Sequence, residues 1–380
     1  MSVLPVEIDK LSDDLESIDK QLVALLAKRA QISTKIGHYK SRAGSPIYVA
    51  EKEVDALSVR KEEAQRLGVS PTLVEDLMRR IMRESYHTKS SEFLCTNPDL
   101  KKVVVIGGAG ALGRIFVDLF KRSGYRVEVL EEADWERSEV ILGDAGLVLV
   151  AVPIKLTESI ISRLTNLPKN CVLADVTSTK QKPLAAMIKA HQGPVVGLHP
   201  MFGPDVPSLV KQVVVVCHGR EPEQYDWLLQ QIRNWGGVLQ QCEAKEHDDA
   251  MVFIQVMRHF CSFVFGSHLA GEDPDLQQLI SLSSPIYRLE LGMVGRLFAQ
   301  APALYADIIF DNKDSVAMLT EFSVKFNQAL SLVESNDKEK FIEQFNQVSA
   351  WFGEYAKQSL VDSKQLLLKA DDDRTLIDNC

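Results

Sequence analysis

Lys101-Lys102-Val103-Val104-Val105-Ile106-Gly107-Gly108-Ala109-Gly110-Ala111-Leu112-Gly113 reads as a strand, a glycine turn and the start of a helix. The apolar run Val103–Ile106 predicts a short buried strand, and Ile115, Phe116, Leu119 and Phe120 recur at helical spacing after the turn. Gly108, Gly110 and Gly113 stand on a G-x-G-x-x-G spacing. In that pattern the first glycine allows a sharp turn, the second lets backbone approach a pyrophosphate, and the third lets helix and strand pack closely. The helix N-terminus adds free N–H groups and a positive dipole end. Three spaced glycines alone are weak evidence, but here a second strand, Val127–Leu130, ends on Glu131. That acid lies about twenty residues beyond the fingerprint, where a carboxylate bonds the ribose 2′-OH of NAD and repels a 2′-phosphate. Glu132 adds to the repulsion. NAD is the expected cofactor; the competing reading of Glu131 is a solvated strand end.

Further strand-like runs at 147–152, 172–174, 195–198 and 213–217 alternate with helical or polar stretches. Alternating β and α with apolar strands predicts a mostly parallel, doubly wound sheet whose ligand crevice lies beyond the strands' C-terminal ends. Three of those ends are polar. Pro153 follows the first, on the nicotinamide side; Asp175, Ser178 and Lys180 follow the second; His199-Pro200 follows the third. A histidine before proline at a strand end is often only a turn residue. Past Ala244 the pattern is helical throughout. Residues 251–270 are apolar nearly all round, which predicts burial in a dimer core, with His259 as a satisfied core histidine. A later helix opens with the cap Ser284-Pro285 and carries Arg288 and Arg296, the latter seven residues after Leu289 and so expected to face inward. Inward arginines opposite an NAD site suggest carboxylate recognition, against the alternative of internal ion pairs.

At 380 residues the chain calls for two or three domains. A net charge of −9 argues against a general nucleic-acid binder. Six scattered cysteines, with no C-x-x-C pair, predict neither a zinc site nor a disulfide framework and fit a reducing cytosol. The N-terminus lacks an apolar signal core, and the apolar run 147–154 is far too short to span a bilayer. A soluble cytoplasmic protein without a resident metal is expected.

The residues before the glycine turn form a different kind of unit. Ile8, Leu15, Leu22 and Ile36 make one seven-residue series, and Leu11, Ile18, Leu25, Ile32 and Tyr39 another. They predict a helix over 7–42, roughly 50 Å long at 1.5 Å per residue. So long an apolar seam calls for a partner chain or for helices folded back on it. Gly44-Ser45-Pro46 breaks it; a second helix follows over 50–67, and a third from the cap Ser70-Pro71 to about His87. Arg29 interrupts the first series, Lys40 lies one turn beyond Ile36, and Ser85 comes four after Ile81 on the inner face of the third helix. A cation on an apolar seam is costly unless it meets an anion. That anion is either an internal acid such as Glu53 or a small anionic substrate held between helices.

Ala27-Lys28-Arg29, Gly37-x-x-Lys40-Ser41-Arg42, Pro46-Ile47-Tyr48 and Met82-Arg83-Glu84-Ser85-Tyr86 resemble the helical chorismate mutase domain, in the form fused to prephenate dehydrogenase in the T-protein family of enteric-type bacteria. Gly197-Leu198-His199-Pro200-Met201-Phe202-Gly203 and Ser178-x-Lys180 resemble that family's dehydrogenase segments, so the resemblance covers essentially the whole chain. It implies an all-α mutase domain at 1–90, a linker at 91–100, a Rossmann NAD-binding domain at 101–243, an all-α dimerisation and prephenate-binding domain at 244–372 and a tail at 373–380. It also implies an intertwined homodimer in which Arg29 and Lys40 hold chorismate's carboxylates and ether oxygen, with Lys52, Glu53 and Ser85 completing the site. His199 would accept a hydrogen bond from prephenate's ring hydroxyl, with Ser178 and Lys180 as orienting groups. Arg296, supported by Arg288, would grip a carboxylate, and Tyr305 lies in a segment the family links to tyrosine as feedback effector. The expected activity is therefore bifunctional, chorismate to prephenate and then NAD-dependent oxidative decarboxylation to 4-hydroxyphenylpyruvate. Two departures bear on the first step. Ser12 stands where the family has an arginine reaching the other protomer's site, and Lys52 replaces another arginine, without its bidentate fork. Each lost charge-assisted contact costs about 1.5–3 kcal/mol. The alternatives are thus a dehydrogenase whose helical domain only assembles the chain, and a non-catalytic NAD-sensing regulator.

Overall fold

The structure, a computed structural model, describes residues 4–43, 45, 48–86 and 92–372. Gly44 and Pro46 of the expected helix break, Ile47, residues 87–91 with the expected end of the third helix at His87, and the tail from 373 lie outside the described residues. The chain divides into two compact units, Met1–Lys245 and Glu246–Cys380.

The first unit opens with α1 (Leu4–Arg42), a single helix of 39 residues. Its two seven-residue series stay uncovered in the single chain: Leu11 is 67% exposed and Leu25 62%. A stripe of that size left in water forgoes about 25 cal/mol for each Å² of apolar surface, so another surface has to cover it. α2 (Ala50–Arg66) buries Leu57, Ala64 and Glu53. α3 (Pro71–Ser85) begins where Ser70 Oγ accepts the Leu73 N–H at 3.4 Å and Pro71 takes the first turn.

A seven-stranded sheet follows: β1 (Val103–Ile106), β2 (Val127–Leu130), β3 (Leu147–Val150), β4 (Val172–Asp175), β5 (Val195–Pro200), β6 (Val213–Arg220) and β7 (Val238–Gln241). The spatial order is β2-β1-β3-β4-β5-β6-β7. The first five strands are parallel, β6 runs antiparallel to β5, and β7 is parallel to β6. Both faces are covered, and β1 shows why its four residues are all apolar. Val103 and Val105 enter one core with Phe116, Phe120 and Trp235, while Val104 and Ile106 enter the other with Ile161 and Met187. The chain reverses its direction of winding between β1 and β3, and the crevice of such a sheet opens there, beyond the strands' carboxyl ends. β7 is an addition to the sequence reading: it is an edge strand with Val238 41% exposed and glutamines at its end, so no apolar alternation announces it.

The stretch expected as linker is pinned from Phe93 onward. The Phe93 N–H donates to Arg122 O at 3.0 Å, and Thr96 Oγ1 donates to Trp227 O at 2.8 Å and lies 3.1 Å from Tyr125 Oη.

In the second unit every regular element among the described residues is a helix. The helical stretch Ala244–Glu272, all but its first two residues in this unit, includes a π-helical turn at Val252–Met257. By length and composition alone, an 18-residue window of it reaches the apolarity of a membrane-crossing helix, at a mean hydropathy of 1.3. The burial expected for 251–270 is not met within one chain. Met251, Val252, Val256 and His259 are buried, but Phe253 is 61% and Phe263 49% exposed, because the single chain has nothing to cover that face.

Candidate functional site

Arg29 and Lys40 lie eleven residues apart on α1, three helical turns, and so project from one face. With Lys52 and Glu53 of α2 and Ser85 of α3 they line one cavity of about 370 Å³, whose apolar walls are Ile36, Val49 and Met82. The Arg29 guanidinium donates to Ser85 Oγ at 3.3 Å, and Ser85 in turn donates to Ile81 O at 2.9 Å. Glu53 is 7% exposed yet does not serve as Arg29's partner. Its Oε2 accepts from Tyr86 Oη at 3.2 Å, and its Oε1 meets Arg79 Nη1 at 3.5 Å and Lys211 Nζ at 2.5 Å. Burial, with Glu53 beside it, pushes the Tyr86 phenol up to about 12. The internal Arg29–Glu53 bridge considered above is thus not what forms. The cavity gathers cations from two helices around a space suited to a small anion.

At the sheet, the glycine turn departs from the motif reading in one respect. The left-handed residue is Gly107, φ +78°, and not Gly108. Gly108 is needed for a different reason: a Cβ there would lie 2.9 Å from both methyl carbons of Val129. Gly113 has the close-packing role expected of it, since its Cβ would lie 2.3 Å from Gly107 O. Gly110 caps α4 (Ala111–Arg122) with extended backbone, and a Cβ there would meet only Gly107 O, at 3.2 Å. The backbone N–H groups at the start of α4 are therefore open to a phosphate. Glu131 Oε1 accepts the Ala109 N–H at 2.7 Å, which sets a part-exposed carboxylate against the turn. Turn and acid together fit a dinucleotide, pyrophosphate at the helix and ribose at the acid. Gly113→Ala should lower NAD affinity at least tenfold by titration while leaving the helical domain intact, because the added methyl forces α4 away from β1. Unchanged affinity would remove the close-packing role.

Further along the crevice, Pro153 precedes the helix Ile154–Ser162 directly after β3 and is exposed. His199 lies near the end of β5, 3% exposed, opposite Val215 of β6. Lys180 and Asp175 are each 0% exposed and paired at 2.5 Å. The lysine also donates to Leu198 O at 2.7 Å, and the Thr177 N–H donates to Asp175 Oδ2 at 3.0 Å. Gly197 makes this possible: a Cβ there would press on Lys180 Cδ at 3.2 Å. Lys180, expected as an orienting group, is fully buried and grips the carbonyl just before His199. Ser178, half-buried, sits in the loop between Asp175 and Lys180.

In the second unit Arg296 is exposed, contrary to its expected inward orientation. The reference for that phase, Leu289, is itself 38% exposed, so the shared face is not a packed one within the chain. Arg288 is half-buried and donates to Ser283 O at 2.8 Å. His259 is buried edge-on to Tyr305, ring centroids 4.7 Å apart, but it is not a satisfied core histidine, because its Nδ1 finds no hydrogen-bond partner among the described residues. Burial, with Arg258 adjacent, pulls it down to about 4, so it is neutral at physiological pH. Among the described residues no group of three or more His, Cys, Asp or Glu is arranged to hold a metal. The sequence reading missed Lys211, whose contact with Glu53 spans 158 residues and has no local signature.

Residues 11–89 match the family of type II chorismate mutases, 123–245 the nucleotide-binding domain of prephenate dehydrogenase, and 243–347 the prephenate dehydrogenase dimerization domain. The T-protein of Enterobacter agglomerans is 51% identical over 97% of this chain and 99% of its own length. The T-protein of Haemophilus influenzae is 46% identical over 95% and 97%. Among solved structures, the prephenate dehydrogenase of A. aeolicus, in complex with hydroxyphenyl propionate and NAD+, superposes with a TM-score of 0.52 at 18% identity, covering 66% of this chain and 96% of that one. Synechocystis arogenate dehydrogenase gives 0.52 at 18% identity, over 67% and 99%. At that identity these two likenesses speak to the fold.

Proposed function

The chain belongs to the T-protein family, and from that membership we propose how its residues divide the work of two reactions. It is a bifunctional enzyme of tyrosine biosynthesis that rearranges chorismate to prephenate and oxidatively decarboxylates prephenate to 4-hydroxyphenylpyruvate with NAD. The observation that carries the residue assignment is the single cavity lined by Arg29, Lys40, Lys52, Glu53 and Ser85, five positions drawn from three helices.

The first reaction is a pericyclic rearrangement, which needs neither nucleophile nor proton shuttle. Rate comes from holding the compact conformer and from cations placed where charge develops on the breaking ether bond. Arg29 and Lys40 fill that role, with Glu53 and Ser85 on the opposing wall and Lys52 at the rim. Ser12 and Lys52 favour one competing reading, a helical domain that only assembles the chain.

For the second reaction, NAD bound at the glycine turn supplies the hydride acceptor. Gly108, Gly110 and Gly113 shape its pyrophosphate site, Glu131 takes the ribose diol, and Pro153 borders the nicotinamide. His199 accepts a hydrogen bond from the ring hydroxyl of prephenate as the carbon bearing it is oxidised. Ser178 orients that hydroxyl, and Lys180 holds the strand at Leu198 so that His199 stays in register. The carboxylate then leaves as CO₂, its bonding electrons completing the aromatic ring. Arg296, with Arg288, grips the remaining carboxylate.

The divisions 1–90, 101–243 and 244–372, a homodimer formed through the uncovered apolar faces, and a cytoplasmic location belong to the same proposal. So does feedback by tyrosine near Tyr305. Arg296→Ala tests the dehydrogenase assignment: KM for prephenate should rise at least tenfold with kcat less affected. An unchanged KM would make Arg296 a structural residue.

A further inference from the structure

Glu53 lines the cavity of the helical domain, yet one of its ion-pair partners comes from the sheet-bearing domain. Lys211 Nζ lies 2.5 Å from Glu53 Oε1 and 5.0 Å from the centre of the Tyr48 ring. Lys211 precedes β6, the strand that pairs with His199's own strand. Its backbone is left-handed, φ 66°, a conformation that is strained for any residue with a Cβ. The Lys211 N–H donates to Gly236 O at 3.1 Å, which holds the strained residue in place. Glycine would serve that backbone without strain, so the lysine's contribution lies in its side chain. Arg79, the other cation on Glu53 Oε1, stands farther off at 3.5 Å.

We propose that Lys211 is a positioning residue of the mutase site, supplied by the dehydrogenase domain, which fixes the Glu53 carboxylate against the cavity wall. The inference rests on the reading of Glu53 as a substrate contact. It makes the first reaction depend on the domain that performs the second.

The test uses the full chain, assayed with chorismate in the absence of NAD and separately with prephenate plus NAD. Lys211→Met should lower mutase kcat/KM about tenfold, the scale of one charge-assisted contact, with the dehydrogenase near its parent value. Lys211→Arg should restore most of the loss. Lys211→Gly should hold or raise Tm, by relieving the left-handed backbone, and still lose the same mutase factor; a merely structural lysine would not separate the two. In a Glu53→Gln background Lys211→Met should cost nothing more. Normal mutase activity in Lys211→Met and Lys211→Gly, alongside a damaged Glu53→Gln enzyme, would overturn the coupling alone. A normal Glu53→Gln enzyme would overturn the reading of the cavity itself.

Discussion

His199→Asn is expected to cut prephenate-dependent NADH formation by about 10²–10⁴-fold, the range for loss of a positioned general base. Asparagine keeps the size and polarity of the side chain, but its amide oxygen is a far weaker base toward the ring hydroxyl than an imidazole nitrogen. The site around it is buried and tied down: His199 is 3% exposed near the end of β5, and the carbonyl before it accepts a hydrogen bond from Lys180, itself fully buried and paired with Asp175. The loss should therefore appear in kcat, with NAD affinity and the chorismate reaction unchanged. Turnover within a few-fold of the parent would return His199 to the status of a buried turn residue.

The second large effect concerns Arg29. Arg29→Ala should lower mutase kcat/KM by about 10²–10³-fold, comparable to removing one donor aimed at developing charge. The guanidinium already reaches across to Ser85 at 3.3 Å, so α1 and α3 present it to the cavity before any ligand arrives. Little reorganisation is then needed at the moment of bond breaking. Arg29→Lys should recover part of the rate but not the forked geometry. Dehydrogenase activity with added prephenate is the internal control. If Arg29→Ala rearranges chorismate at the parent rate, the helical domain does not use this cavity for catalysis.

Much of this organisation can be read from local pattern. Four apolar residues at Val103–Ile106 have one outcome when both faces of a sheet are covered, and Gly108 and Gly113 answer to clearances of 2.9 Å from the Val129 methyls and 2.3 Å from Gly107 O. Arg29 and Lys40 share a helical face by arithmetic alone. What escaped depends on tertiary context. The positive φ belongs to Gly107, next to the motif glycine, while Gly108 is needed for its clearance from Val129. Arg296 was phased against Leu289 as though that leucine were buried, and in the single chain it is not. Lys180 carries a motif that points to chemistry, but only the fold shows it sealed behind Gly197. β7 hides because an edge strand tolerates glutamine on its open side. Lys211 and Glu53 meet across 158 residues, a distance no spacing rule covers.

The central claim is that one polypeptide carries both reactions at separate sites. Purified protein supplied with chorismate and NAD, and no other enzyme, tests it most directly, with chorismate loss, NADH and CO₂ followed together. Chorismate should disappear whether or not NAD is present, and with NAD present NADH and CO₂ should form in equal amounts at its expense. Formation of NADH only when prephenate itself is added would contradict the claim, leaving a dehydrogenase with a helical assembly domain.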